Sequence, residues 1–290
     1  MNIKYKKEKR YSSGGNYDRK KTFRTDGPHQ RTKDTFQHRD ESDEAFDSGI
    51  VAGRNAVREL LKSGRTIDKI FTQQGEREGS IVALAAEAIS KGIPVIETDK
   101  SKLDALSGFT SHQGIVAMAA FKGYAAVDEI LAVAEERGEK PFVVIADEIC
   151  DPNNLGALIR CCEGAGVHGV IIPKRRSAGL TPAVAKASAG AIEHMAVAKV
   201  TNINSTIEEL KQKGLWVMAC EAGGQDYDSM DYDIPLCIIL GSEENGISKQ
   251  VLKNSDYIIS LPMRGKVNSL NVSCAAAAVL YRALSGRIKK

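Results

Sequence analysis

From residue 142 onward the chain alternates short apolar runs with amphipathic segments, and that rhythm confines it to few folds. The runs fall at 142–147, 169–172, 197–200, 216–220, 237–240 and 257–261. Between them the spacing predicts helices over 155–165, 183–189, 205–213 and 270–285. Strands that read as unbroken apolar runs are buried on both faces. The pattern therefore predicts an α/β fold, a parallel sheet covered by helices on each side. Ser205 and Glu208 read as a capping box for the third of these helices.

Residues 46–120 form a smaller α/β unit by the same criteria. Asn55 to Leu61 has helical spacing and stops at Gly64. Strands are expected at 67–71, 94–96 and 114–119. A helix over 81–89 carries Ile81, Leu84, Ala85, Ala88 and Ile89 on one face, and Ser101 with Asp104 reads as a capping box for another. Residues 121–140 read as a linker running into a short helix from Val127 to Glu136, and Pro141 opens the larger domain at 141–290.

The first 45 residues are rich in Gly, Ser, Asp, Lys and Arg and nearly devoid of aliphatic side chains, which predicts disorder. The whole chain carries a formal charge of +3, yet residues 1–40 hold 12 Lys and Arg against five acids. A basic arm on a mildly acidic body suits a polyanion; a merely solvated leader has the same composition. No apolar run reaches the ~20 residues of a membrane span, and no apolar stretch follows the N-terminal charges as in a secretory signal. A cytoplasmic protein is the expectation. Six cysteines sit mostly in apolar segments, without C-x-x-C or metal-ligand spacing, and read as reduced core residues.

The ordinary nucleotide signatures are missing: there is no G-x-x-x-x-G-K-[ST], and no G-x-G-x-x-G follows the first strand. Three other blocks stand out. Asp151-Pro152-Asn153-Asn154 makes a turn before a helix that carries Arg160, with Asn154 as a plausible cap. Arg160 lies between Ile159 and Cys161-Cys162, poor surroundings for an unpartnered charge. Gly241-Ser242-Glu243-Glu244-Asn245-Gly246 follows an apolar strand, where open α/β sheets bind ligands. There Glu243 could accept from a hydroxyl or pair with Arg160. Leu261-Pro262-Met263 and Ser269-Leu270-Asn271-Val272-Ser273 lead into the small-residue stretch 275–278. Each block alone is an ordinary cap, turn or tightly packed helix.

Together, in this order and spacing, the three blocks resemble the motifs of the SpoU family of RNA ribose 2′-O-methyltransferases in the SPOUT superfamily. Val51 to Val57 and Gly166 to Ala178 look most like its bacterial 23S rRNA guanosine branch. The resemblance implies a knotted C-terminal domain at 141–290, a trefoil threaded against the usual rule. It also implies an L30e-like RNA-binding domain at 46–120, S-adenosylmethionine as cofactor, RNA as partner and a homodimer with sites near the subunit interface. It assigns catalysis to Asn154, Arg160, Glu243, Ser269 and Asn271. Cofactor contacts would come from Glu221, Ala222, Gly223, Leu240, Gly241, Ile259, Leu261, Met263 and Leu270. Relatives usually have a small residue or Thr where Glu221 stands. The implied reaction moves a methyl group to a ribose 2′-oxygen and requires no metal. A tRNA guanosine substrate and a non-catalytic role in RNA binding or ribosome assembly are the alternatives.

Overall fold

A computed structural model describes residues 49–75, 79–120, 122–267 and 269–288. The basic arm at 1–45 lies outside the described residues. Two sheets organise the rest. The smaller has the order β1-β4-β2-β3, built from β1 (Ile50–Ala52), β2 (Ile67–Gln73), β3 (Val95–Thr98) and β4 (Ile115–Ala119). Strand β4 runs antiparallel to both β1 and β2, whereas β2 and β3 are parallel. Helix α1 (Arg54–Lys62) and helix α2 (Gly79–Ser90) close a core of Val57, Leu60, Ile70, Leu84 and Ile115. Helix α3 (Lys100–Leu106) buries Leu103 on the other face, against Phe71 and Val116.

The larger sheet has six strands, every pair parallel, as the unbroken apolar runs predict. They are β5 (Phe142–Ala146), β6 (Gly169–Pro173), β7 (Ala196–Val200), β8 (Trp216–Asp226), β9 (Leu236–Leu240) and β10 (Tyr257–Ser260), in the order β10-β8-β9-β5-β6-β7. Every residue of β5 and of β9 is buried. Alternation along β5 assigns its side chains to two cores. Val144 joins the layer of α5 (Pro152–Gly164), α6 (Pro182–Ala187) and α9 (Val272–Arg287), through Leu155, Leu158, Val184 and Val279. Val143 and Ile145 join the layer of α4 (Val127–Glu136), α7 (Ile203–Gln212) and α8 (Lys249–Asn254), through Ile130, Ile207 and Val251. Burial on this scale, at ~25 cal/mol per Å² of apolar surface, is the main force holding the layers together.

Strand order places the ligand face. The chain leaves β5 toward β6 and β7, but leaves the neighbouring β9 toward β10 on the opposite side. Such a switch opens a crevice beyond the C-terminal ends of the two strands. The loops there begin at Asp147 and at Gly241.

Three local readings are corrected. The cap of α5 is Asp151, whose carboxylate accepts from the Asn153 and Asn154 N–H groups. Pro152 fills the first helical position, which needs no donor, so Asn154 sits inside the helix rather than capping it. Asp99 caps α3 through the Lys102 N–H at 2.8 Å, in place of the Ser101–Asp104 box. Asn202 caps α7 in place of Ser205. The cysteines are free, but only Cys162 and Cys237 are buried; Cys150 and Cys274 are exposed. Among the described residues no helix is long and apolar enough to cross a membrane.

Charged contacts join α1, the loop after it and the linker to the segment 190–194. Arg65 Nη1 donates to both oxygens of the buried Glu193 at 2.9 Å, and Lys122 Nζ donates to the Glu193 carbonyl at 2.9 Å. His194 Nε2 and Glu59 Oε2 meet at 3.0 Å, beside Gly190. A side chain at Gly190 would collide with Glu59, its Cβ falling 2.6 Å from that of Glu59.

Candidate active site

The crevice is a cleft of about 430 Å³ where the middle of β8 and the end of β9 meet two loops. The first loop, 241–246, turns back on itself: Gly246 N–H donates to the Ser242 carbonyl at 2.9 Å, with Gly246 at φ +62°. Gly241 must be glycine, because a Cβ there would lie 2.4 Å from the Gly246 backbone. The second loop, 261–271, brings Leu261, Met263, Ser269 and Leu270 to the opposite wall. Met263 and Leu270 are 39% and 44% exposed and give this wall an apolar surface.

Glu221 supports the turn from below. Its Oε2 accepts the Ile247 N–H at 2.8 Å, and its Oε1 the Ala222 N–H at 3.2 Å. Burial pushes the neighbouring Cys220 thiol up to about 11. Cys220 therefore stays protonated at neutral pH and lines the cleft as an apolar group.

At the mouth, side chains from three separate segments converge. Glu243 Oε1 accepts from Asn154 Nδ2 at 3.1 Å, from the Val272 N–H at 3.3 Å and from Asn271 Nδ2. Asn271 Nδ2 also donates to Asn154 Oδ1 at 3.0 Å. Asn271 Oδ1 meanwhile caps α9, accepting from Ser273 N–H at 3.0 Å and Cys274 N–H at 3.4 Å. Glu243 thus faces the positive end of α9, where an anion is favoured. A carboxylate already holding three donors on one oxygen keeps its other oxygen for a ligand.

The sequence-derived residues distribute as follows. Asn154, Glu243 and Asn271 are brought together by direct hydrogen bonds. Glu221, Ala222, Leu240, Gly241, Leu261, Met263, Ser269 and Leu270 line the cleft. Ile259 is fully buried in the core, and Gly223 lies just past the lining at φ +81°. Arg160 is exposed and has no hydrogen bond or ion pair with a described residue, so neither crowding by its apolar neighbours nor pairing with Glu243 applies. Helical rotation explains this: Ile159 and Cys162 turn inward while residue 160 points out. Asn245 and Val272, quoted in the sequence blocks without a role of their own, and Ala275 also line the cleft. Ala275 was read only as part of a small-residue stretch permitting close approach.

Comparison with known proteins agrees with this layout. Residues 141–281 match the SpoU rRNA Methylase family, and residues 50–125 match the RNA 2′-O ribose methyltransferase substrate binding family. A protein of Bacillus subtilis named as a TrmH-family tRNA/rRNA methyltransferase, YacO, is 44% identical over 233 residues, covering 80% of this chain and 93% of its own. A Staphylococcus aureus protein of the same family name is 44% identical over 239 residues, covering 82% and 96%. Among solved structures, the SpoU methyltransferase AviRb of Streptomyces viridochromogenes in complex with AdoMet superposes with a TM-score of 0.68, at 21% identity over 82% of this chain and 89% of that one. The AdoMet-bound rRNA methyltransferase of Sinorhizobium meliloti gives 0.69 at 22% identity, over 85% and 90%. These two show likeness of fold; the 44% identity over four-fifths of the sequence shows more, and the chain belongs to the SpoU (TrmH) methyltransferase family.

Proposed function

We propose that this protein is an S-adenosylmethionine-dependent RNA ribose 2′-O-methyltransferase acting on a guanosine of large-subunit (23S) rRNA. The hydrogen-bonded cluster of Asn154, Glu243 and Asn271 at the mouth of the cleft carries the proposal. In this reading residues 46–120 bind RNA, 121–140 connect, 141–290 form the knotted catalytic domain, and two copies associate with their sites near the interface. The homologues named for tRNA as well as rRNA support a tRNA guanosine as the second reading.

The cleft fits the cofactor. Leu240, Leu261, Met263 and Leu270 offer apolar surface to a flat base, while the 241–246 backbone and the carboxylates of Glu221 and Glu243 suit hydroxyls and positive charge. When bound, S-adenosylmethionine supplies an electrophilic methyl group. The protein's task is then to present a ribose hydroxyl and to stabilise the charge its oxygen develops. Glu243, fixed by Asn154 and Asn271, accepts from a ribose hydroxyl; Ser269 supplies a second polar group at the opposite wall. Arg160, held by α5 and unpaired, orients a backbone phosphate and steadies the alkoxide. A guanidinium scarcely gives up its proton in proteins, which makes arginine a poor base.

The test is transfer of label from S-adenosylmethionine to undermethylated large-subunit rRNA and bulk tRNA, with Arg160→Ala alongside. Label on rRNA ribose, lost in the variant, is the expected result. Label on tRNA alone moves the protein to the second reading; no cofactor binding makes it a non-catalytic RNA-binding protein. An Arg160→Lys variant of near-normal activity with a displaced alkaline limb would give arginine the base role instead.

A further inference from the structure

A second cleft, of about 520 Å³, opens between α1, α3 and the loop 109–113. Its volume lies within the range of small-ligand sites, ~300–1,000 Å³. Two features of the loop are unusual. Phe109 is 84% exposed, the most exposed large apolar side chain among the described residues. Phe109 and Gln113 both adopt left-handed backbone, at φ +59° and +51°. Left-handed backbone is costly at bulky residues and persists only where the surrounding structure imposes it, often at binding sites.

The rest of the cleft is largely polar and hydrogen-bonded. Gly114 N–H donates to His112 Nδ1 at 3.0 Å, which leaves the ring proton on Nε2 to donate to Asp104 Oδ1 at 3.0 Å. Asp104 Oδ2 accepts from Lys100 Nζ at 2.8 Å. Gln113 Oε1 accepts the Arg54 N–H at 3.1 Å, and Arg54 Nη1 donates to Ser80 Oγ at 3.1 Å. With its oxygen anchored, the Gln113 amide offers its NH₂ group outward. The cleft therefore sets an aromatic face and an anchored amide beside the Arg54 guanidinium, with Lys100 held against Asp104.

We propose that this cleft holds one unpaired nucleotide of the substrate RNA, its base stacked on Phe109, its edge read by Gln113 and its phosphate drawn by Arg54 and Lys100. The inference rests on the RNA-substrate reading above. Stacking on an aromatic side chain needs the π-face of a base, which a duplex hides; single-stranded loops and bulges expose it. The cleft therefore distinguishes unpaired from paired RNA at a point remote in sequence from the methyl-transfer site.

The test compares a fluorescein-labelled, random-sequence single-stranded RNA dodecamer with a duplex of equal length, by fluorescence anisotropy on the full chain. Phe109→Ala weakens single-strand binding about tenfold, in line with the loss of one base stack, and leaves duplex binding within about twofold. Phe109→Trp retains single-strand binding, and its emission is quenched as RNA is added. Equal affinities for wild type and Phe109→Ala, or equal losses on both RNAs, overturn the proposal. Wild-type methyl transfer to rRNA or tRNA, measured on the same preparation, tests the underlying reading separately. Transfer together with an unaffected Ala variant removes only the cleft; a wild type that neither binds nor methylates RNA removes both.

Discussion

Glu221 and Ile247 are joined by a 2.8 Å hydrogen bond from the Ile247 backbone to the Glu221 carboxylate, across 26 positions of sequence. It ties the middle of β8 to the turn that forms one wall of the cleft. Gly246 is part of the same fit, since a Cβ there would fall 2.5 Å from Glu221 Oε2. An alanine or glycine at 221 could not make this bond.

Glu221→Ala should therefore loosen the 241–246 turn without unfolding the sheet. A charge-assisted hydrogen bond at a half-buried position contributes about 1 kcal/mol. S-adenosylhomocysteine affinity is expected to fall about tenfold, with a stability loss of about 1 kcal/mol. Calorimetric titration checks this, and an unchanged Kd would assign Glu221 to plain surface.

Asn271 performs two tasks that one substitution separates. Its oxygen caps α9, and its NH₂ group holds Glu243 and Asn154. Ser caps helices about as well as Asn but has no amide to bridge with. Asn271→Ser should keep unfolding free energy within about 0.5 kcal/mol while kcat falls at least tenfold, on the order of a lost positioning contact. Asn271→Ala should lose both, with about 1 kcal/mol of stability gone. Equal kcat in Ser and wild type would detach the bridge from catalysis.

Gly156 lets α5 approach α6. A Cβ at 156 would lie 2.4 Å from Ala187 Cβ and 2.8 Å from the Val184 carbonyl, with little room to relax. Overpacking of this kind costs about 1–3 kcal/mol. Because α5 carries both Asn154 and Arg160, Gly156→Ala should lower kcat as well as the urea midpoint. A destabilised variant with undiminished kcat would show that α5 moves as a unit without disturbing the cluster.

Much of this architecture is legible in the chain. The parallel sheet follows from apolar runs at 142–147 and 237–240, and α4 spans Val127–Glu136 as its spacing predicts. The caps were misread because Ser101 and Ser205 compete with Asp99 and Asn202 a few positions upstream, and local sequence does not say which oxygen reaches the free N–H groups. Strand β8 runs on to Asp226 through Gly223-Gly224, residues that weaken a strand signal. It pairs there with β10 across a register shift at Ile258/Ile259, and Gly224 admits the Ile258 carbonyl, 2.5 Å from where a Cβ would be. The cleft at Phe109 had no sequence signal, since a positive φ at Phe or Gln is imposed by tertiary contacts.

The His168 ring joins the start of β5 to the segment preceding it, and makes stability depend on pH. Its Nδ1 accepts the Phe142 N–H at 2.9 Å, so the ring proton resides on Nε2 and donates to Glu139 at 2.9 Å. Burial holds its pKa below the ordinary histidine value, against the opposing pull of Glu139. The unfolded chain, with an ordinary His pKa near ~6.5, thus takes up a proton before the folded one does. Stability is full above that value and falls as pH drops toward the folded pKa; below both it levels off. His168→Asn, whose Oδ1 can still accept from Phe142, should be less stable at pH 8 but lose less on acidification. Urea midpoints of both proteins between pH 8 and pH 5 measure it, and parallel curves would show that His168 does not titrate on unfolding.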